Sequence, residues 1–204
     1  VGKQARLRAE RRIAELLDSY AAVASEYLPQ WFAASRCLNA TRITIEVLAQ
    51  FGVATRAQPT QVLVMNEVMW REVTRRGRLP ESEAESLEWM NAFGAYSVGV
   101  TGEAADDLPP GYPAHLIAVA DGYLIDAAAR QFHRPAHEIY TPEVLLTRMT
   151  RSTSPWIVEG PNGTVISYQA LDDQSYRTVA GFQRSAHNLD AADAIARRVR
   201  AKKS

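Results

Sequence analysis

The sequence predicts an α+β fold, read as one domain over residues 1–204. Three observations carry that reading. Helical periodicity runs from Lys3 to the glycine at position 52. A series of short strand-like segments follows, with turn signals between them. Helical segments lie between and after those strands, the layout of helices packed on a mostly antiparallel sheet. At 204 residues and 47% hydrophobic content, the chain holds enough apolar side chain for one full-sized core.

The first element is a helical lead-in over 3–28. Ile13, Leu16, Leu17 and Tyr20 mark its apolar face, extended by Val23 and Ala24, while Arg6, Arg8, Arg11 and Arg12 form a solvated side. Pro29 is expected to end or kink it. The next stretch, from Ser35 through Cys37 to Val53, shows two competing periods. Arg42, Thr44 and Glu46 alternate with Ile43, Ile45 and Val47 in the manner of a strand. Over the longer window Asn39, Arg42, Glu46 and Gln50 form one polar stripe at helical spacing, and the helix is favoured. Apolar residues fill the remaining circumference, so the helix should be buried. Ser35 can cap its start, Gly52 suits its left-handed end, and Arg42 and Glu46 can pair on the exposed stripe.

After this helix, 54–66 reads as extended, 67–76 as a short helix, and 82–90 as another. Residues 95–101 read as a strand. GEAADDLPPGYPA follows as a loop that delivers the chain to His115, and a loop of that length often serves as the rim or lid of a site. Residues 115–120 and 123–128 are two strands joined by Asp121-Gly122, a strong two-residue hairpin signal. Pro142 opens an expected short helix carrying Val144, Leu145, Leu146 and Met149. Residues 156–159 and 164–169 form a second hairpin around Asn162-Gly163. A last helix over 190–202 starts at Asp190 and ends in a basic, solvated tail.

Composition narrows the function classes. Lysine plus arginine and aspartate plus glutamate balance at 23 each, so no global charge argues for nucleic acid or membrane. The single cysteine excludes an internal disulfide and a cysteine-built zinc site. No apolar run approaches the roughly 20 residues that span a bilayer, and no signal pattern opens the chain. The first residue is Val rather than Met, which suggests a processed or trimmed start. A cytoplasmic protein is the expectation. His133 and His137 stand four apart, but Pro135 between them disfavours a helix, and a surface loop is favoured over a metal site. No phosphate-cradling or dinucleotide glycine motif occurs. Neither cofactor nor metal is expected.

The chemistry-bearing residues are Cys37, His115 and Asp126. At the start of a helix, Cys37 meets unpaired N–H groups and a dipole that favour a thiolate, the nucleophilic form. A lone cysteine also serves as a small core residue. The Asp121-Gly122 turn pairs Ala120 with Tyr123 and, counting back, Ile117 with Asp126. His115 shares a face with Ile117, so His115 and Asp126 are diagonal neighbours at about 7–8 Å. A carboxylate there can orient an imidazole and leave its other nitrogen to a thiol. Solvated, unrelated ends of two strands are the plain alternative.

In this order the residues resemble the transglutaminase-like superfamily of papain-like folds. The resemblance rests on Cys37-Leu38-Asn39-Ala40, the apolar run closed by Gly52, His115-Leu116-Ile117-Ala118-Val119 and Leu124-Ile125-Asp126, spanning about half the chain. It extends to arylamine N-acetyltransferases and to leader-peptide-cleaving transglutaminase-like proteins. It implies a papain-like fold and a thioacyl mechanism on a peptide, protein or small acyl substrate, as a hydrolase such as a cysteine protease or as an acyltransferase. Cys37 would attack, His115 would move the proton, and Asp126 would orient His115. The Cys37 N–H would help hold the oxyanion, with Gln30 as side-chain donor. The sequence departs from the pattern where Leu116 and Ile117 replace an aromatic after the histidine, and where no glycine-rich lead-in precedes Cys37. The long interval between Cys37 and His115 has room for an insertion near 67–90. Trp31, Tyr112 and Trp156 are candidates to line a pocket, and Gln131 and Phe132, which follow Asp126, are expected to pack beside the site. A binding or scaffold protein that keeps the three residues idle is the alternative.

Overall fold

The computed structural model describes residues 2–31, 37–102, 112–150 and 153–202, and it is a mixture of helices and antiparallel sheet. The helices are α1 (Lys3–Trp31), α2 (Cys37–Ala49), α3 (Glu67–Arg76), α4 (Glu83–Phe93) and α5 (Ala186–Lys202). The strands are β1 (Thr55–Met65), β2 (Ser97–Val100), β3 (His115–Ala120), β4 (Tyr123–Asp126), β5 (Leu145–Arg148), β6 (Trp156–Glu159) and β7 (Val165–Ala170). Ser35, the expected cap of α2, and most of the loop before His115 lie outside the described residues.

The strands form one sheet in the order β5-β4-β3-β1-β7-β6. β1 is long enough to pair β3 along its first half and β2 along its second, with β7 on its other edge. Gly99 on β2 lies so close to β1 that a Cβ there would overlap the Val62 carbonyl oxygen.

α1, α2 and α5 cover one face of the sheet. Leu17, Tyr20, Ile43, Leu48, Ile195 and Val199 pack there against Ala118, Ala120 and Ile125. Alternation sends Ile117 and Leu124 to the opposite face, where they meet Phe132, Leu145, Trp156 and Ile166. That second cluster draws on both ends of the sheet, which is therefore curled. The Tyr168 hydroxyl on β7 reaches the Asp126 carboxylate on β4 at 2.8 Å. In a flat sheet three strand spacings would separate those backbones by roughly 14 Å. α3 and α4 close the far end of β1 through Met69 and Trp89.

Several expectations are corrected. α1 passes through Pro29 rather than stopping there. Pro29 falls in the last described turn, so its missing N–H and the clash of its ring disturb only the end of the helix. The segment after Pro142 is the strand β5, not a helix, and it pairs Leu145 with Asp126 through to Arg148 with Tyr123. Val144 and Leu146 pack toward the helical layer and Leu145 toward the other face, so the period is two. A short apolar run carries both periods, and pairing with β4 decides between them. α5 begins at Ala186, ahead of Asp190, because the Ser185 hydroxyl accepts the Asn188 N–H and supplies the cap. The polar stripe of α2 carries the expected Arg42–Glu46 pair, but it is half-buried over Asn39, Arg42 and Glu46 and serves as an interface. Asn39 donates to Asn188, Glu46 pairs Arg184, and Gln50 bonds Asp193 and Arg200.

Candidate active site

The N-terminus of α2 and the start of β3 meet because the helix is pinned there. One turn after Cys37, the Thr41 hydroxyl donates to the Leu116 carbonyl at 2.7 Å, adjacent to His115. Leu38 packs so closely on the segment before α5 that the Gly181 position leaves little room beside it. Cys37 is half-buried, a free thiol at the first residue of α2, against a cluster of Leu116, Tyr176 and Phe182.

His115 and Asp126 have no exposed side-chain surface, and Nε2 lies 2.9 Å from Oδ2. The hairpin register is the one the turn predicts, with Ala120 opposite Tyr123 and Ala118 opposite Ile125. Asp121 and Gly122 both adopt positive φ, as a two-residue turn of this kind needs. The ring N–H points off the oxygen, so charge carries the contact more than a linear hydrogen bond does.

The remaining positions on the pair are also occupied. Asp126 Oδ1 accepts the Ala128 N–H at 2.9 Å, and Oδ2 accepts the Tyr168 hydroxyl at 2.8 Å. Burial, together with the Asp126 charge, holds the Tyr168 phenol well above its ordinary pKa, so it stays a donor. His115 Nδ1 is 2.6 Å from the Gln131 side-chain amide, and Phe132 stands edge-on to the ring at 5.2 Å.

Burial works against charge on His115, but the Asp126 carboxylate outweighs it. The nearby Cys37 side chain pushes the same way, and the ring is raised to about 10. A cationic ring offers no acceptor, so Gln131 would then present its amide oxygen to Nδ1. The arrangement thus brings a thiol, an imidazole and a carboxylate together in sequence, the set that nucleophilic catalysis uses.

Other expected residues are placed elsewhere. Gln30 is exposed, and its amide donates to the Glu26 carbonyl of its own helix at 3.0 Å. Trp31 packs beside His187 in the helical layer, and Trp156 lies in the cluster on the opposite face. Tyr112 packs against the same Leu116, Tyr176 and Phe182 cluster as Cys37. His133 accepts the Thr141 N–H and His137 stacks on Tyr96 at 3.7 Å, so the two histidines face different partners. Among the described residues no three histidine, cysteine or carboxylate side chains are gathered to hold a metal, and no helix is long and apolar enough to cross a membrane.

Gln131 and Phe132 pack beside the site as their position after Asp126 suggests, whereas Tyr168 carried no such signal in the sequence. Tyr168 reaches Asp126 only because the sheet curls. Gln131 comes back over His115 on a 3-10 turn at Ala129–Phe132, which the chain enters directly after the strand carrying Asp126. Comparisons of the chain with family models, curated proteins and solved structures found no match.

Proposed function

We propose that this protein is a cysteine-dependent acyl hydrolase or acyltransferase, of the transglutaminase-like type on a papain-like fold. One observation carries the reading: a fully buried His115–Asp126 pair at 2.9 Å, beside the thiol that begins α2. Burying two ionisable groups is costly and is weak evidence for a purely stabilising role. Such pairs cluster at functional sites.

In this mechanism the Cys37 thiolate attacks an amide, ester or thioester carbonyl of a peptide, protein or small acyl substrate. The carbonyl electron pair moves to oxygen, and the Cys37 N–H at the helix start helps hold that charge. His115 gives its proton to the leaving group as the tetrahedral species collapses to a thioester. It then takes a proton from the acceptor, water or an amine, as that acceptor adds to the thioester carbonyl; the carbon–sulfur bond breaks, the acyl group leaves on the acceptor, and the Cys37 thiolate and charged ring are restored. Asp126 keeps the ring oriented and charged, and Tyr168 keeps Asp126 in place. A reactive free thiol of this kind suits a reducing compartment such as the cytoplasm.

The Gln131 contact favours a second reading. An amide held on Nδ1 occupies the nitrogen that a thiol would use, as in a binding protein that retains the residues idle. Intact-mass analysis after incubation with p-nitrophenyl acetate separates the two. The catalytic reading expects one acetyl group on Cys37, absent in Cys37→Ala and formed far more slowly in His115→Ala. No adduct on the folded protein supports the idle reading.

A further inference from the structure

The Tyr112 hydroxyl is enclosed by the fold, yet it makes no hydrogen bond. A buried polar group without a partner carries a desolvation cost and calls for an explanation. Its surroundings supply one. Tyr112 packs in the same apolar cluster as Cys37, Leu38 and Leu116, and its ring stands edge-on to Tyr176 at 6.2 Å. Nearby acceptors are already engaged. Asp173 takes the N–H and the hydroxyl of Ser175, and Gln174 takes the Tyr176 hydroxyl.

We propose that Tyr112 is a catalytic residue, whose hydroxyl donates to the carbonyl oxygen of the substrate as Cys37 attacks. The inference rests on the acyl-transfer reading and deepens it by supplying the side-chain donor that Gln30, turned back on its own helix, does not. When the sulfur–carbon bond forms, the carbonyl π pair becomes an oxyanion. The Tyr112 O–H and the Cys37 N–H bond it, and both release it when the carbonyl re-forms and the leaving group departs. The donor is unpaired in the resting protein, so it loses no existing bond on meeting the oxyanion. Burial, together with the charges of Asp173 and Cys37, raises the phenol above its ordinary pKa, so the proton stays available.

Two reactions of one thiol test this. Acylation by p-nitrophenyl acetate passes through an oxyanion, and alkylation by iodoacetamide does not. Tyr112→Phe should slow acylation on the order of 100-fold while leaving alkylation of the folded protein at the wild-type rate. The loss should shrink for the thiono analogue of the ester, whose sulfur accepts hydrogen bonds poorly. Equal slowing of both reactions, or an equal loss for ester and thiono ester, would show that the hydroxyl acts on the thiol or the fold instead, and overturns the proposal. Unchanged acylation in Tyr112→Phe beside a reactive, His115-dependent wild-type thiol overturns the Tyr112 role alone. A wild-type Cys37 that reacts with neither reagent until denatured overturns the acyl-transfer reading and this inference with it.

Discussion

Asp126 holds three partners inside the protein, so truncating it strands a buried imidazolium and a buried phenol together. Asp126→Ala is expected to cost about 3–5 kcal/mol of stability, read from the shift in a urea midpoint; a loss below 1 kcal/mol would mean the buried pair is not intact. His115 adds a pH dependence of known sign. Its pKa rises from 6.5 to about 10 on folding. Below pH 6.5 both states hold the proton and the stabilisation is complete. Between 6.5 and 10 only the folded chain keeps it, so stability declines by at most about 1.4 kcal/mol per pH unit. Urea midpoints at pH 6, 8 and 10 should fall more steeply in wild type than in His115→Gln, and parallel slopes would count against a charged ring. At this scale the sequence made Cys37, His115 and Asp126 legible, through one helix start and one turn of fixed register. It did not show Tyr168 or the free hydroxyl of Tyr112, because their places depend on contacts distant along the chain.

Among the elements, α2 determines where the thiol sits, and its hold on α1 is specific. The Tyr20 hydroxyl meets Thr44 Oγ1 at 2.6 Å in a fully buried contact, and Thr44 in turn donates to the Ala40 carbonyl. Tyr20→Phe should therefore lose about 1 kcal/mol by denaturant unfolding, with helix content unchanged by circular dichroism. β2 is held more stringently. Gly99→Ala places a methyl on the Val62 carbonyl oxygen and should separate β2 from β1. Hydrogen exchange at Val98 and Val100 reports this, and protection equal to wild type would contradict it. Most elements were readable from periodicity, caps and turn residues: α3 spans Glu67–Arg76 as the pattern indicates, and α4 starts just after its Ser82 cap. β5 was misread because four residues are too few to separate a period of two from one of 3.6. The stripe of α2 misled for another reason. Polarity marks a face that makes hydrogen bonds, and here α5 rather than water supplies them.

At the scale of the whole molecule, the sheet joins both layers. β1 pairs three other strands, and the edge strands β5 and β6 face each other across a cleft of about 490 Å³ lined by Met149, Trp156 and Val158. The helical layer packs on the strands that carry His115 and Asp126, so loss of either layer opens the site. Near-ultraviolet and far-ultraviolet circular dichroism should report a single, coincident unfolding transition, whereas separate midpoints would show that the helical layer melts on its own. The α+β class followed from element order alone. The strand order and the curl did not, because pairing between β1 and β7 joins residues a hundred or more positions apart, and nothing local encodes it.

The central claim is that the start of α2 and the start of β3 create a reactive thiol. The most direct measurement is the rate of Cys37 alkylation by iodoacetamide from pH 4 to 10, in wild type and in His115→Ala. The account predicts fast labelling of the folded wild type already at pH 6, where an ordinary thiol, with a pKa of about 8.5, is almost wholly protonated, and loss of that labelling in the variant. Labelling that rises only above pH 8, or appears only on denaturation, with no effect of the substitution, would contradict it and leave Cys37 as a packing residue.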